Sequence, residues 1–376
     1  MKNACLIHSP ELDEKGYPAE CPFDTHRAGR AREIICSMGL MDGDGEYEVP
    51  AVTATRAELE RYHTSEYLDA ILAVQAGRLT NQTLAMGLGT ADCPIFADMF
   101  EYISLAVGAS ICAAREILQG STKIAFNPSG GFHHAFPARA AGFCYMNDVV
   151  LAIMELTGAG KKVLFLDIDV HHSDGVQHAF YNRSDVMTIS MHESGKTLFP
   201  GTGFTNELGD GSGYGYSINL PLPVGTYDAA YELAFRQAVL PLIAKFDPDV
   251  IVIELGMDGL ANDPLAHLSL TNNVYADILS AVIALNKPLL ATGGGGYNPE
   301  NTARGWALMW SVMCGADDPY DAGLTVGGMM LQNTDWTGGL RDRAYLSDAA
   351  TRKTVDQEII TLIKEIRKNI FPIHNL

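Results

Sequence analysis

Residues 163–175 read VLFLDIDVHHSDG, an apolar run that breaks off into two aspartates, two histidines and a third aspartate. The run is short, partly β-branched and preceded by Gly160, Lys161 and Lys162, so it reads as a buried parallel strand rather than a helix. Side chains alternate along a strand, which aims Asp167, Asp169 and His171 one way and Ile168 and Val170 the other. Carboxylates crowded together in a core repel unless a cation or a proton intervenes. The stretch therefore predicts a metal at the carboxyl end of a sheet.

Working outward, further strands are expected over 3–9, from Lys123 in KIAFN, and over 186–192, 216–223, 249–256 and 288–296. Helices are expected over 27–40, over 56–76 between a Thr55 cap and a Gly77 stop, and over 99–118. Others are expected over 142–157, with Asn147 or Asp148 near the start after a turn, and over 175–181, 228–244 and 353–370, the last amphipathic and packed outside. Strands and helices alternate, which predicts an α/β fold: a mainly parallel, doubly wound sheet flanked by helices. Neither repeat nor linker interrupts the pattern, so residues 1–376 are expected to form a single domain.

Hydrophobic residues make up 47% of the chain and charged residues 19%, the proportions of an ordinary globular protein. No apolar run approaches ~18 uncharged residues, and the start, MKNACLIHSPELDEKG, has no signal-peptide core or cleavage site. A cytoplasmic protein with no membrane partner is expected. The seven cysteines are scattered and never spaced as CxxC, which predicts reduced thiols and a metal site built from nitrogen and oxygen. A formal net charge of −19 argues against direct nucleic-acid binding, since phosphate backbones demand clustered Lys and Arg, and it suits a cationic substrate. No pattern indicates an oligomeric state.

Polar clusters follow the predicted strands: Asp92, His133 with His134, Gly142 with Phe143, Asp167 to Asp174, Phe199, Asp258, and Gly293 to Tyr297. Ligands of open α/β sheets bind outside the strand carboxyl ends, so these loops are expected to share one crevice. Adjacent His133 and His134 suit acid/base work, because imidazole titrates near neutrality. Four glycines ahead of Tyr297 allow backbone to approach a ligand, and the phenol can donate a hydrogen bond. Taken alone, Phe143 and Phe199 would be ordinary core aromatics.

In their order, PSGGFHHA, GFCYMND, FLDIDVHHSDGVQHAF, FPGTG and GGGGYN with NTARGW resemble the zinc-dependent histone deacetylase family, in the branch of class I deacetylases and bacterial acetoin-utilisation proteins. The resemblance runs from His26, Arg27 and Ala28 to Trp306. It implies an arginase/deacetylase-like fold and a metal-dependent hydrolase of linear amides. The implied substrate is an acetyl or short acyl group on the ε-amine of lysine in proteins or peptides.

By the same resemblance Asp169, His171 and Asp258 are the zinc ligands, a donor set also compatible with iron(II) or cobalt. His134 becomes the proton acceptor and donor and His133 its electrostatic partner, with Asp167 orienting His133 and Asp174 orienting His134. Tyr297 would polarise the amide carbonyl and stabilise the oxyanion. Phe143 and Phe199 would wall the acyl-lysine channel, Gly142 would meet the substrate amide through its carbonyl, and Asp92 and Leu265 would stand on the rim. The resemblance also implies potassium at two sites, one using Asp167, Asp169, His171, Ser190 and Met191, the other Phe180, Arg183, Val186 and Tyr216.

Ser173, Phe132 and Met257 depart from the family pattern and leave the substrate open, so a deacetylase of acetylpolyamines or another small acylated amine is the alternative. An arginase-like ureohydrolase would need a second metal, but Gly259 and Leu260 follow Asp258 in place of an Asp-x-Asp pattern. A non-catalytic acyl-lysine or acetoin-related binding protein would have no need of His133, His134 and Tyr297 together.

Overall fold

The computed structural model describes residues 2–316 and 339–376. Eight strands form one sheet: β1 (Lys2–His8), β2 (Glu46–Pro50), β3 (Thr122–Asn127), β4 (Val163–Asp167), β5 (Val186–Glu193), β6 (Ser217–Leu222), β7 (Val250–Glu254) and β8 (Leu289–Thr292). Their order is β2-β1-β3-β8-β7-β4-β5-β6, and every pairing is parallel. The α/β expectation holds, with helices on both faces.

Strand β4 shows why. Leu164 and Leu166 join Tyr231, Phe235 and Trp306 in the core on one face, whereas Val163 and Phe165 join Val149, Val150 and Ile153 on the other. All of β4 is buried, and each such aliphatic side chain contributes about 1.5–3 kcal/mol. A third core gathers Tyr67, Tyr102, Phe132 and Tyr145 beneath the loops at the strand carboxyl ends.

One row of cross-strand partners is polar throughout. Asn127, Thr292, Glu254, Asp167, Ser190 and Asn219 stand side by side across β3, β8, β7, β4, β5 and β6, each at most 3% exposed. Burying so many polar groups in one line costs free energy unless they are partnered, and it marks the level at which the sheet gives way to the site.

Several boundaries differ from the sequence reading. The helix expected over 56–76 is two, Arg56–Leu59 and Ser65–Gln75. Thr55 caps the first in a capping box with Glu58, and Thr64 caps the second by accepting the Tyr67 N–H. Between them His63 turns inward, its Nε2 accepting the Asn147 N–H at 3.0 Å. The helix expected over 228–244 continues to Phe246 through a π turn at Phe235–Val239. Pro241 has no N–H to give the regular ladder, and the wider turn absorbs the loss. Strand β2 and the helices Glu11–Glu14, Asn81–Ala85, Asn272–Ile283 and Pro299–Met313 were not expected. The C-terminal helix, Ala349–Asn369, buries Val355, Ile359, Leu362, Ile363 and Ile366. No helix among the described residues is long and apolar enough to cross a membrane.

Candidate active site

Beyond Asp167 the backbone coils in two short side-chain turns. Asp167 Oδ1 accepts the Asp169 N–H and Asp169 Oδ1 accepts the His171 N–H, both at 2.9 Å. Asp258 Oδ1 takes the Val170 N–H at 2.9 Å, which ties the loop after β7 to the loop after β4. His171 Nδ1 then lies 3.3 Å from Asp169 Oδ1 and 3.0 Å from Asp258 Oδ2. These separations suit ligands about 2 Å from a common ion. Burial and the charge of Asp169 push the Asp258 carboxyl up to about 7, a repulsion that a cation would relieve. The donor set therefore fits a divalent metal. Glycine is required around it: a Cβ at Gly256 would sit 1.9 Å from Asp169 Oδ2, and one at Gly295 1.9 Å from Asp258 Oδ2.

The histidine pair adjoins this cluster. His133 Nε2 and His134 Nε2 are 3.0 Å apart, and His134 Nδ1 is 2.7 Å from Asp174 Oδ1. His133 Nδ1 lies 3.2 Å from Asp167 Oδ2 but only 2.9 Å from Glu254 Oε1, so Asp167 does not orient it alone. Burial opposes a charge on His133, yet Glu254, Asp169 and Asp167 outweigh it and hold the imidazole well above its ordinary range. His134 goes the other way: burial and the charge of His133 lower it to about 4, against the pull of Asp174. One ring is held charged and its neighbour neutral.

Tyr297 stands edge-on to His171, ring centroids 6.2 Å apart, and packs against Phe143 at 5.6 Å. Burial, Asp258 and Asp169 push its phenol well above the usual range, so it keeps its proton. Phe199, 44% exposed, meets His134 edge-on at 5.0 Å. Gly142, at φ 53°, leaves no room for a Cβ, which would lie 2.4 Å from the His134 ring and 3.0 Å from Phe199. Phe143 follows at φ 64°, with its N–H on the Asp92 carbonyl and its own carbonyl accepting the Tyr17 hydroxyl. These residues converge, as expected.

The rim residues are more committed than expected. Asp92 accepts the Gly142 N–H at 3.0 Å through Oδ2 and the Thr90 hydroxyl at 2.7 Å through Oδ1, so it first shapes the Gly142–Phe143 turn. Leu265 is half-buried in a loop stapled by Asp263. Of the residues implied for potassium, Ser190 is the cross-strand partner of Asp167, and Met191 follows it. Phe180, Arg183, Val186 and Tyr216 gather at the amino end of β5, where the Arg183 N–H meets the Phe180 carbonyl and the Thr188 N–H meets the Tyr216 carbonyl. His172 bridges Thr202 and Gln177 and stacks near His192, bracing the loop that carries Phe199.

Sequence reasoning missed three residues. Glu254 is fully buried, and neither carboxylate oxygen has a hydrogen-bond partner of good geometry. Its signal was a lone acid inside the apolar run DVIVIELG. Arg27 donates to the Gly296 and Gly294 carbonyls at 2.6 and 3.1 Å while stacked between Phe23 and Trp306. Asp263 accepts the Tyr297 N–H at 2.8 Å. Neither had a local signal.

A parallel sheet that ends in a nitrogen and oxygen cluster able to hold a metal, beside a histidine pair, has the layout of a hydrolase site. The histone deacetylase domain model matches residues 21–313. The acetoin utilization protein AcuC of Bacillus subtilis is 39% identical over 329 residues, 85% of this chain and 84% of that protein. Histone deacetylase RPD3 of Saccharomyces cerevisiae is 35% identical over 327 residues, 85% of this chain and 75% of its own. A crystal structure of an HDAC homologue from Aquifex aeolicus superposes with a TM-score of 0.85 at 30% identity, covering 97% of this chain and 100% of that one. The chain belongs to the histone deacetylase family and is an enzyme of the hydrolytic deacetylase class.

Proposed function

We propose that the protein is a zinc-dependent amidohydrolase that removes acetyl or short acyl groups from the ε-amine of lysine in proteins or peptides. The observation that carries this reading is the histidine pair, Nε2 atoms 3.0 Å apart, set beside the Asp169, His171 and Asp258 cluster. Zinc held by those three residues would supply Lewis acidity to the amide carbonyl and to water. Potassium at the two sets of residues named above is part of the same proposal.

The chain's own groups carry the protons. The His134 Nδ1–H faces Asp174, which fixes the tautomer and leaves Nε2 basic. Held neutral, His134 takes a proton from the attacking water at Nε2 and returns it to the departing amine. Protonated His133 stabilises negative charge gathering beside it. The Tyr297 hydroxyl donates to the carbonyl oxygen as that oxygen becomes anionic. Phe143 and Phe199 flank the methylene chain of the substrate.

A cavity of about 790 Å³ opens beside Asp92, Asp174 and Phe199 and extends past Arg139 and His178. This groove lies at the rim and is walled by none of the metal-cluster residues, so it has room for residues on either side of an acyl-lysine, which supports a peptide substrate over free acetylpolyamines. The test is a panel of acetyl-lysine peptides and acetylated polyamines offered to zinc-reconstituted protein. Preference for peptides supports the assignment, and preference for polyamines overturns the substrate class while keeping the reaction.

A further inference from the structure

We infer that Asp263 is a positioning residue that couples the substrate rim to Tyr297, an inference that rests on the deacetylase reading. The residue is 8% exposed, and its carboxylate is divided between two backbone amides: Oδ1 accepts the Leu265 N–H at 2.9 Å and Oδ2 accepts the Tyr297 N–H at 2.8 Å. Leu265 is the rim residue and Tyr297 the oxyanion donor of the proposed mechanism. One buried side chain thus fastens both.

The arrangement matters because Tyr297 hangs on a stretch with little stiffness of its own. Residues 293–296 are all glycine, and Gly294 and Gly296 have φ of 144° and 131°, values that side-chain-bearing residues rarely adopt. The stretch is held from two directions. Arg27 grips the Gly294 and Gly296 carbonyls, while Asp169 Oδ2 accepts the Gly295 N–H at 2.6 Å. Neither contact reaches the Tyr297 amide; Asp263 does.

The segment opposite is a single loop running from the metal ligand Asp258, through Asn262 at φ 68°, to Asp263 and Leu265. The Asp263 N–H donates to the Leu260 carbonyl at 3.1 Å, so the carboxylate is aimed by its own loop. Substrate pressing on Leu265 therefore moves, or is resisted by, the same carboxylate that sets the Tyr297 backbone. A displacement of about 1 Å at a catalytic group is enough to cost on the order of 100-fold in rate.

The test is a double-mutant cycle on zinc-loaded protein with an acetyl-lysine peptide. Asp263→Ala is expected to lower kcat at least ~10-fold with zinc stoichiometry unchanged. In a Tyr297→Phe background the same substitution should change kcat less than ~3-fold, because the group it positions has already gone. Asp263→Asn, which keeps the shape and one oxygen acceptor, should recover part of the loss, and it replaces Asp263→Ala if that variant does not fold. Independent, multiplicative losses would overturn the inference, as would wild-type kcat in folded Asp263→Ala. A wild-type enzyme without turnover sinks the deacetylase reading and this inference with it. A working wild type with multiplicative variants sinks the inference alone.

Discussion

His133 and His134 are neighbours in sequence, yet they sit in opposite electrical surroundings. The first faces Glu254, Asp167 and Asp169 in a fully enclosed nest; the second has one partner, Asp174, and borders the open groove at Phe199. Burial opposes charge on both. The facing carboxylates decide the outcome: Glu254, Asp169 and Asp167 together outweigh desolvation at His133, whereas Asp174 does not outweigh desolvation plus the charge of His133 at His134. His63, buried with no carboxylate beside it, completes the series, and burial lowers it to about 4. At these three rings the facing carboxylates, and not depth alone, set the direction of the shift.

The strongest way to break that comparison is to remove each ring in turn. His134→Ala and Tyr297→Phe should each lower turnover at least ~100-fold by loss of the acid/base group or the oxyanion donor, while His133→Ala should cost less. Steady-state kinetics on an acetyl-lysine peptide would reveal a reversed order, which would assign the base to the wrong ring.

His63 sharpens the other end of the series. Its folded value of about 4 lies below the ordinary 6.5, so the fold favours the neutral ring, whose Nε2 accepts the Asn147 N–H. The resulting stability is complete above pH ~6.5 and is lost as pH falls toward 4, amounting to about 2 kcal/mol at pH 5. Urea denaturation at pH 7.5 and pH 5 should show that loss, and His63→Gln should shrink it. An equal pH dependence in His63→Gln would place the sensitivity elsewhere.

Glu254→Gln makes the smallest change, because burial, Asp167 and Asp169 hold the Glu254 carboxyl itself well above its ordinary range and so reduce the charge it presents to His133. With less opposing charge the folded pKa of His133 falls, so its proton is lost at lower pH. The alkaline limb of the kcat profile should move down by at least ~0.5 unit. An unmoved limb would mean that Asp167 and Asp169 suffice.

The parts legible in the sequence were those whose chemistry is local. VLFLDIDVHHSDG announces a strand and its polar exit within one window, and the 99–118 helix matched Met99–Leu118 because twenty periodic residues outweigh any boundary error. The break after Leu59 was hidden, since its two pieces look like one periodic stretch and the reason for breaking is His63 reaching Asn147. Strand β2, EYEVP, is short and half-exposed and reads as loop until β1 is there to pair with it. Glu254, Arg27 and Asp263 escaped for a related reason: each acts on a residue distant in sequence, as when Arg27 grips Gly296. The motifs name the atoms that react and, in Asp174, one group that aims them, whereas Glu254, Arg27 and Asp263 are visible only once the chain has folded.

The central claim is that the Asp169, His171 and Asp258 cluster and the histidine pair together hydrolyse an acyl-lysine amide. Its most direct test measures free lysine released from an acetyl-lysine peptide by protein stripped with chelator and reloaded with zinc, beside Asp258→Ala treated identically. The account predicts turnover that returns at one equivalent of zinc per chain and is absent in the variant. Turnover that survives chelation, or persists undiminished in Asp258→Ala, would contradict it.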